Sequence, residues 1–172
     1  MELAYPFYLR CKEGEYIVSF PDMPEALTGA ATEEEAIGLA SDALIAALGG
    51  YMEDKREIPE PSPLQKGQEM AYLRPLAAAK VALYIAMRTE GLSNIGLANR
   101  FSVDEKSVRR MLDLDHPTKI ETIHKALRSV FSDRYDLVTS LETKEKTKAP
   151  ENRGESLFTS PLKRDSDEVS PV

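Results

Sequence analysis

At Thr32 the spacing of apolar residues changes. Before it, Tyr16, Val18 and Phe20 recur at every second position; after it, Ala36, Ile37, Ala40, Ala43, Leu44, Ala47, Leu48 and Tyr51 recur at helical spacing. One regular element cannot satisfy both periods, so the chain must set a short sheet beside a helix, an α+β unit. Thr32 marks the border. Its hydroxyl can cap a helix, Glu35 stands where it can reach back to the Thr32 amide, and Glu33, Glu34 and Glu35 gather at the positive end of the helix dipole.

The rest of this segment follows from its turn residues. Residues 5–12 and 15–20 read as two strands joined through Glu13-Gly14. Pro21-Asp22-Met23-Pro24 ends the second strand, because proline lacks a ladder donor and fixes φ. Residues 26–31 supply a short third strand, and the helix runs to about Lys55 although Gly49-Gly50 weakens it. Its alanine-rich stripe suits close packing on a sheet. Residues 58–67 carry three prolines and a glycine and form a loop; residues 68–74 return as a strand. A small antiparallel sheet with one helix results.

Charge divides the chain in the same way. The whole chain holds 22 basic and 29 acidic side chains, a net charge of -7. Residues 1–74 have 6 basic and 14 acidic groups, residues 75–141 have 10 and 8, and residues 142–172 have 6 and 7. The first segment is a poor nucleic-acid binder and a suitable partner for a basic protein; the second alone can approach phosphates without strong repulsion. A single cysteine, Cys11, builds no internal disulfide framework, and no apolar run approaches the roughly 20 residues that a membrane helix needs. The N-terminus lacks the pattern of a secretory signal. A cytoplasmic protein with no membrane association is expected.

Tyr5, the hairpin, the run Tyr16-Ile17-Val18-Ser19-Phe20-Pro21-Asp22-Met23-Pro24 and the run Thr28-Gly29-Ala30-Ala31-Thr32-Glu33-Glu34-Glu35-Ala36 resemble the N-terminal domain of the HicB antitoxins, over about residues 4–73. The likeness rests on a strand ending in F-P-D-x-P, a short strand, and T-x-E-E-A opening the helix. Glu25 departs from it, since many members have glycine there, which bears on the shape of the turn. The resemblance implies a partial ribonuclease-H-like fold. It also implies a HicA-like toxin as partner, a small basic ribonuclease whose active surface this segment would cover. Ribonuclease-H chemistry needs several carboxylates converging on two metal ions. Only Asp22 and Glu25 stand near such a place, so no catalytic residue, metal ligand or cofactor is assigned and the chain is not expected to be an enzyme. Toxin contacts are expected in the loop 21–27, at Asp22, Met23 and Glu25, with Asp22 alternatively a turn residue accepting local amide bonds.

Beyond Pro75, residues 76–89 form an amphipathic helix ended by Glu90-Gly91, and Ser93 can cap the next. From Asn94 the residues fill the roles of a helix-turn-helix. Ala98 is small where two helices cross; Leu97 and Phe101 face inward from the first helix, Val103 fills the turn, and Val108 and Met111 face back from the second. Ser102 stands where such turns favour glycine, so it must take a strained conformation or reshape the turn. With Val108, Met111 and Leu112 inward, Glu105, Lys106, Arg109, Arg110 and Asp113 face out. A second helix of this kind enters the DNA major groove. Lys106 and Arg110 then suit phosphates and Arg109 a guanine edge, while Glu105 accepts from cytosine or caps the helix. Ser93 and Asn94 can meet a phosphate. Asn99 and Arg100 are either contacts or plain surface, and the alternative for the whole segment is a three-helix packing motif with solvated charges. Pro117-Thr118 opens a further helix carrying Ile120, Ile123, Leu127 and Val130. His116 and His124 lack partners at metal spacing and read as surface or packing residues. The segment resembles the Xre or Cro/cI-type domain that some HicB antitoxins carry in this place.

The expected organisation is therefore residues 1–74 binding toxin, residues 75–141 binding DNA, with residues 135–141 extending the helical part, and residues 142–172 as a disordered tail. The expected function is that of a type II antitoxin that also represses its own operon on operator DNA, as a homodimer or tetramer. A ligand-sensing helix-turn-helix regulator without a toxin partner and a weak nuclease stay open as alternatives.

Overall fold

Glu13 and Gly14 both take positive φ, 55° and 86°, and so fold β1 (Ala4–Lys12) back onto β2 (Glu15–Ser19) in a two-residue turn. The computed structural model describes residues 3–131 of the chain. In it β3 (Leu27–Ala30), α1 (Glu33–Glu53) and β4 (Gln68–Tyr72) follow the hairpin, then α2 (Pro75–Thr89), α3 (Asn94–Phe101), α4 (Glu105–Leu112) and α5 (Ile120–Phe131). The sheet is antiparallel throughout, in the order β3-β2-β1-β4, with Leu9 opposite Val18, Val18 opposite Thr28 and Tyr5 opposite Ala71. The class is α+β.

Strand alternation turns Tyr5, Phe7, Val18, Ala30 and Ala71 to one face of the sheet, where all are buried and where Phe20 joins them just beyond β2. The Phe7 and Phe20 rings pack at 5.7 Å between centroids. α1 covers this face with Ala36, Ala40, Leu44, Leu48 and Tyr51. At its start Thr32 Oγ1 accepts from the Glu35 amide at 3.3 Å, the contact the capping-box spacing implies. The helix passes through Gly49-Gly50 unbroken and stops at a Schellman turn. There the Arg56 amide bonds the Tyr51 carbonyl at 2.8 Å and the Lys55 amide bonds Met52 at 3.3 Å, with Lys55 held at φ 57°.

α2 serves two cores from opposite faces. Ala77, Val81 and Tyr84 join the sheet-side core, whereas Ala79, Leu83, Ala86 and Met87 pack with Leu97, Ala98, Val108, Met111, Ile123, Ala126 and Leu127. The second core thus stands on a helix that also belongs to the first.

Element ends differ from the sequence expectation in a few places. β3 is confined to Leu27–Ala30 and β4 ends at Tyr72. α5 begins at Ile120, not at Pro117, and the Thr118 hydroxyl ahead of it faces back to the carbonyls of Arg110 at 3.3 Å and His116 at 3.5 Å. The expected extension at 135–141 and the expected tail at 142–172 lie outside the described residues. No described helix is long and apolar enough to cross a membrane.

Candidate functional site

α3 and α4 are eight-residue helices joined by a short turn, and each has a side-chain cap. Ser93 Oγ accepts from the Gly96 amide at 3.1 Å. The cap of α4 is Asp104, whose Oδ1 accepts from the Ser107 amide at 2.6 Å; Glu105, one of the candidates for that role, stands inside the helix instead. The bond from the Ser107 amide, then that from its side chain, holds the Asp104 carboxyl below its ordinary pKa. Ser102 adopts φ 53° and ψ 43°, the left-handed conformation its position requires. The Val103 amide then bonds Ala98 at 3.0 Å, closing a Schellman turn.

This geometry fixes the face that α4 shows to solvent. Val108 and Met111 are buried, and Leu112 is partly so. Lys106, Arg109 and Arg110 are exposed on the other side, with Glu105 half-buried beside them. Glu105 and Arg109, expected as separate contacts, are bonded to each other: Arg109 Nη2 and Nε donate to Glu105 Oε1 at 2.8 and 3.2 Å. The Arg109 side chain remains 68% exposed in that pair. Ser93 is exposed and Asn94 half-buried at the start of α3, while Asn99 and Arg100 are exposed near its end.

Sequence reasoning missed Lys80. It lies on α2 between the two core-facing stripes, is fully buried, and donates through Nζ to the backbone carbonyls of Asp113 and His116. Burial pushes its pKa down, against the pull of Asp113 and Asp115. The sequence offers only its helical spacing from Ala77 and Tyr84, because its hydrogen-bond partners lie 33 and 36 residues away.

The acidic loop 21–27 is knitted into the first core. Asp22 Oδ2 accepts from both the amide and the hydroxyl of Ser62 at 3.0 Å. Glu25 accepts from the Tyr51 hydroxyl and from Arg56 Nη1, each at 2.9 Å, and the Arg56 guanidinium stands 3.7 Å from the Tyr51 ring centroid. Its own backbone amide, the Tyr51 hydroxyl and Arg56 hold the Glu25 carboxyl below its ordinary pKa. Met23 is a correction to the expected contacts. Its side chain is fully buried, because consecutive backbone bonds, Met23 to Phe20 and Ala26 to Met23, turn it into the core. What the loop offers to a partner is Pro21, Pro24, Glu25 and Leu27, which are exposed, and the half-buried Asp22.

The segment after α1 is fastened along its backbone as well. Arg88 Nη1 donates to Lys55, the Tyr84 hydroxyl to Arg56 and the Tyr5 hydroxyl to Pro59, at 2.7, 2.6 and 2.8 Å. Among the described residues no three His, Cys, Asp or Glu side chains gather as a metal site.

A family model described as HicB_like antitoxin of bacterial toxin-antitoxin system matches residues 4–82, which reaches into the shared helix α2. Antitoxin HicB 1 of Photorhabdus laumondii is 43% identical over 129 residues, covering 74% of this chain and 82% of that protein. Antitoxin HicB of Escherichia coli K12 is 36% identical over 129 residues, covering 74% and 94%. Antitoxin HicB of Pseudomonas fluorescens Pf0-1 is 33% identical over 127 residues, covering 73% and 87%. At 33–43% identity over 82–94% of the length of these relatives, the chain belongs to the HicB-like antitoxins, the non-enzymatic partners of toxins in type II toxin-antitoxin systems.

Proposed function

We propose that this chain neutralises a HicA-like, RNA-cleaving toxin by covering its active surface, and that it represses its own operon by binding operator DNA through α4. For the first activity the supporting feature is charge: 14 acidic against 6 basic groups within residues 1–74 suit a basic partner. Asp22 and Glu25 remain the proposed contacts, with Pro24 and Leu27 as apolar neighbours in place of the buried Met23. For the second, the single observation that carries the reading is the exposed row Lys106, Arg109 and Arg110 on a capped helix, opposite Val108 and Met111. Lys106 and Arg110 would hold phosphates, Arg109 would read a base edge beside Glu105, and Ser93 with Asn94 would steady the backbone. One such helix buries little surface, so a homodimer or tetramer on two half-sites is the proposed assembly, acting in the cytoplasm.

Two experiments with the full chain test the two halves separately. Co-expression with a HicA-like toxin should restore growth and yield a stable complex; cells that stay arrested overturn the neutralisation reading. Selection of random-sequence duplexes on the purified chain should enrich two related half-sites. A pool that remains random after several rounds overturns the DNA reading and leaves the other untouched.

A further inference from the structure

Lys80 is the one charged side chain among the described residues that is fully buried, and it belongs to neither face of α2 outright. Its ammonium group reaches the carbonyls of Asp113 and His116, at the end of α4 and in the loop behind it. Helix C-termini leave carbonyls without intrahelical partners, and here a side chain from another helix supplies the donor. Two further contacts hold the same loop. Leu112 and Leu114 pack against the sheet-side core, Leu114 Cδ1 lying 4.0 Å from where a Cβ on Gly49 of α1 would stand. Thr118 donates its hydroxyl to the Arg110 carbonyl. The end of α4 is therefore fastened from α2, from α1 and from the chain that follows it. An apolar residue at position 80 could fill the space, but the Asp113 carbonyl would keep only the His116 amide at 3.3 Å and the His116 carbonyl only the Thr118 hydroxyl at 3.5 Å.

We infer that Lys80 is a positioning residue for DNA reading: it fixes the pitch of α4 so that Arg109 meets a base edge while Lys106 and Arg110 lie along the backbone. This rests on the proposed DNA binding by α4. Phosphate contacts made by long, flexible side chains survive a small tilt of the helix and carry no sequence information; a bidentate contact to one base does not survive it.

The test compares the full-length parent with Lys80→Met on two duplexes, a site selected from a random pool by the parent and a scrambled version of it. Lys80→Met should lower the preference for the selected site about tenfold while affinity for the scrambled duplex stays within about twofold. Leu114→Ala, at a partly exposed position, should act in the same direction, and it carries the test if Lys80→Met fails to fold. An equal loss on both duplexes makes the role merely structural and overturns the inference, as does an unchanged preference. A parent that shows no preference at all overturns the DNA reading, and this inference with it.

Discussion

Arg109 donates twice to one oxygen of Glu105, a turn back along α4, at 2.8 and 3.2 Å. An exposed pair of this kind adds little to stability. Its consequence is orientation, since the carboxylate holds the guanidinium along the solvent face. If Arg109 reads a base, Arg109→Ala should cost about 1–3 kcal/mol of discrimination between a selected and a scrambled duplex. Lys106→Ala should weaken both duplexes alike and make the salt slope shallower by about one unit. Titrations across a range of salt measure both quantities; an Arg109 variant with the preference of the parent removes that residue from the reading.

Three helices end in the same turn with three different residues in the left-handed position. Lys55 follows α1 at φ 57°, Gly91 follows α2 at φ 63° and Ser102 follows α3 at φ 53°. A side chain there costs about 1–2 kcal/mol, and glycine returns roughly 0.5–1 kcal/mol of that as lost chain entropy. Ser102→Gly should therefore stabilise the protein by about 0.5–1 kcal/mol, a rise in Tm of about 1–4 °C. Gly91→Ala should lower Tm. A melting curve for Ser102→Gly at or below that of the parent would show that the serine makes a compensating contact.

What the sequence disclosed was what neighbours in the chain decide. The Glu13-Gly14 turn, the Thr32 cap and the strain at Ser102 each involve residues within a few positions of one another, so the pattern sufficed. Lys80 and Asp22 were opaque for the opposite reason. Lys80 meets carbonyls 33 and 36 residues away, and Asp22 meets Ser62 40 residues away. Met23 misled because Pro21 and Pro24 on either side mark a surface turn, and only the path of the backbone shows that the side chain between them points inward. The exposed face of α4 was readable from Val108 and Met111; the Glu105–Arg109 pairing also lies at legible i,i+4 spacing, but competes there with the roles proposed for each residue separately.

Tyr5 gives the first core an alkaline limit. Burial, then the negative charge of Asp22 and the neighbouring Tyr51, raise its pKa to about 12 from the ordinary 10.0. The folded value is the higher one, so the stabilisation is complete below pH 10 and is lost as pH rises through 12. Burial also raises Tyr51 and Tyr84, so several groups contribute to the decline. Tyr5→Phe should lower stability by about 1 kcal/mol at neutral pH, by removing the bond to Pro59, and should flatten part of the alkaline fall. Denaturant unfolding between neutral pH and pH 12 checks both; an identical alkaline slope in the variant would assign the loss to the other tyrosines.

Met23 and Glu25 separate structure from recognition within one loop. Met23 is fully buried, so Met23→Ala should cost about 2–5 kcal/mol of stability through lost burial and a cavity. Any weakening of toxin neutralisation in that variant should follow its lower melting temperature and vanish when the protein is assayed well below it. Glu25 lies at the surface, bonded to Tyr51 and Arg56. Asp22→Asn with Glu25→Gln keeps hydrogen-bonding groups in place and removes two negative charges from the face proposed to meet a basic toxin. Association should slow and lose part of its salt dependence, with dissociation little changed, as expected when charge steers the encounter and apolar contacts hold the complex. Stopped-flow mixing of the full chain with a HicA-like toxin at low and high salt measures both rates. Unaltered association in the double variant would move the proposed contact away from this loop.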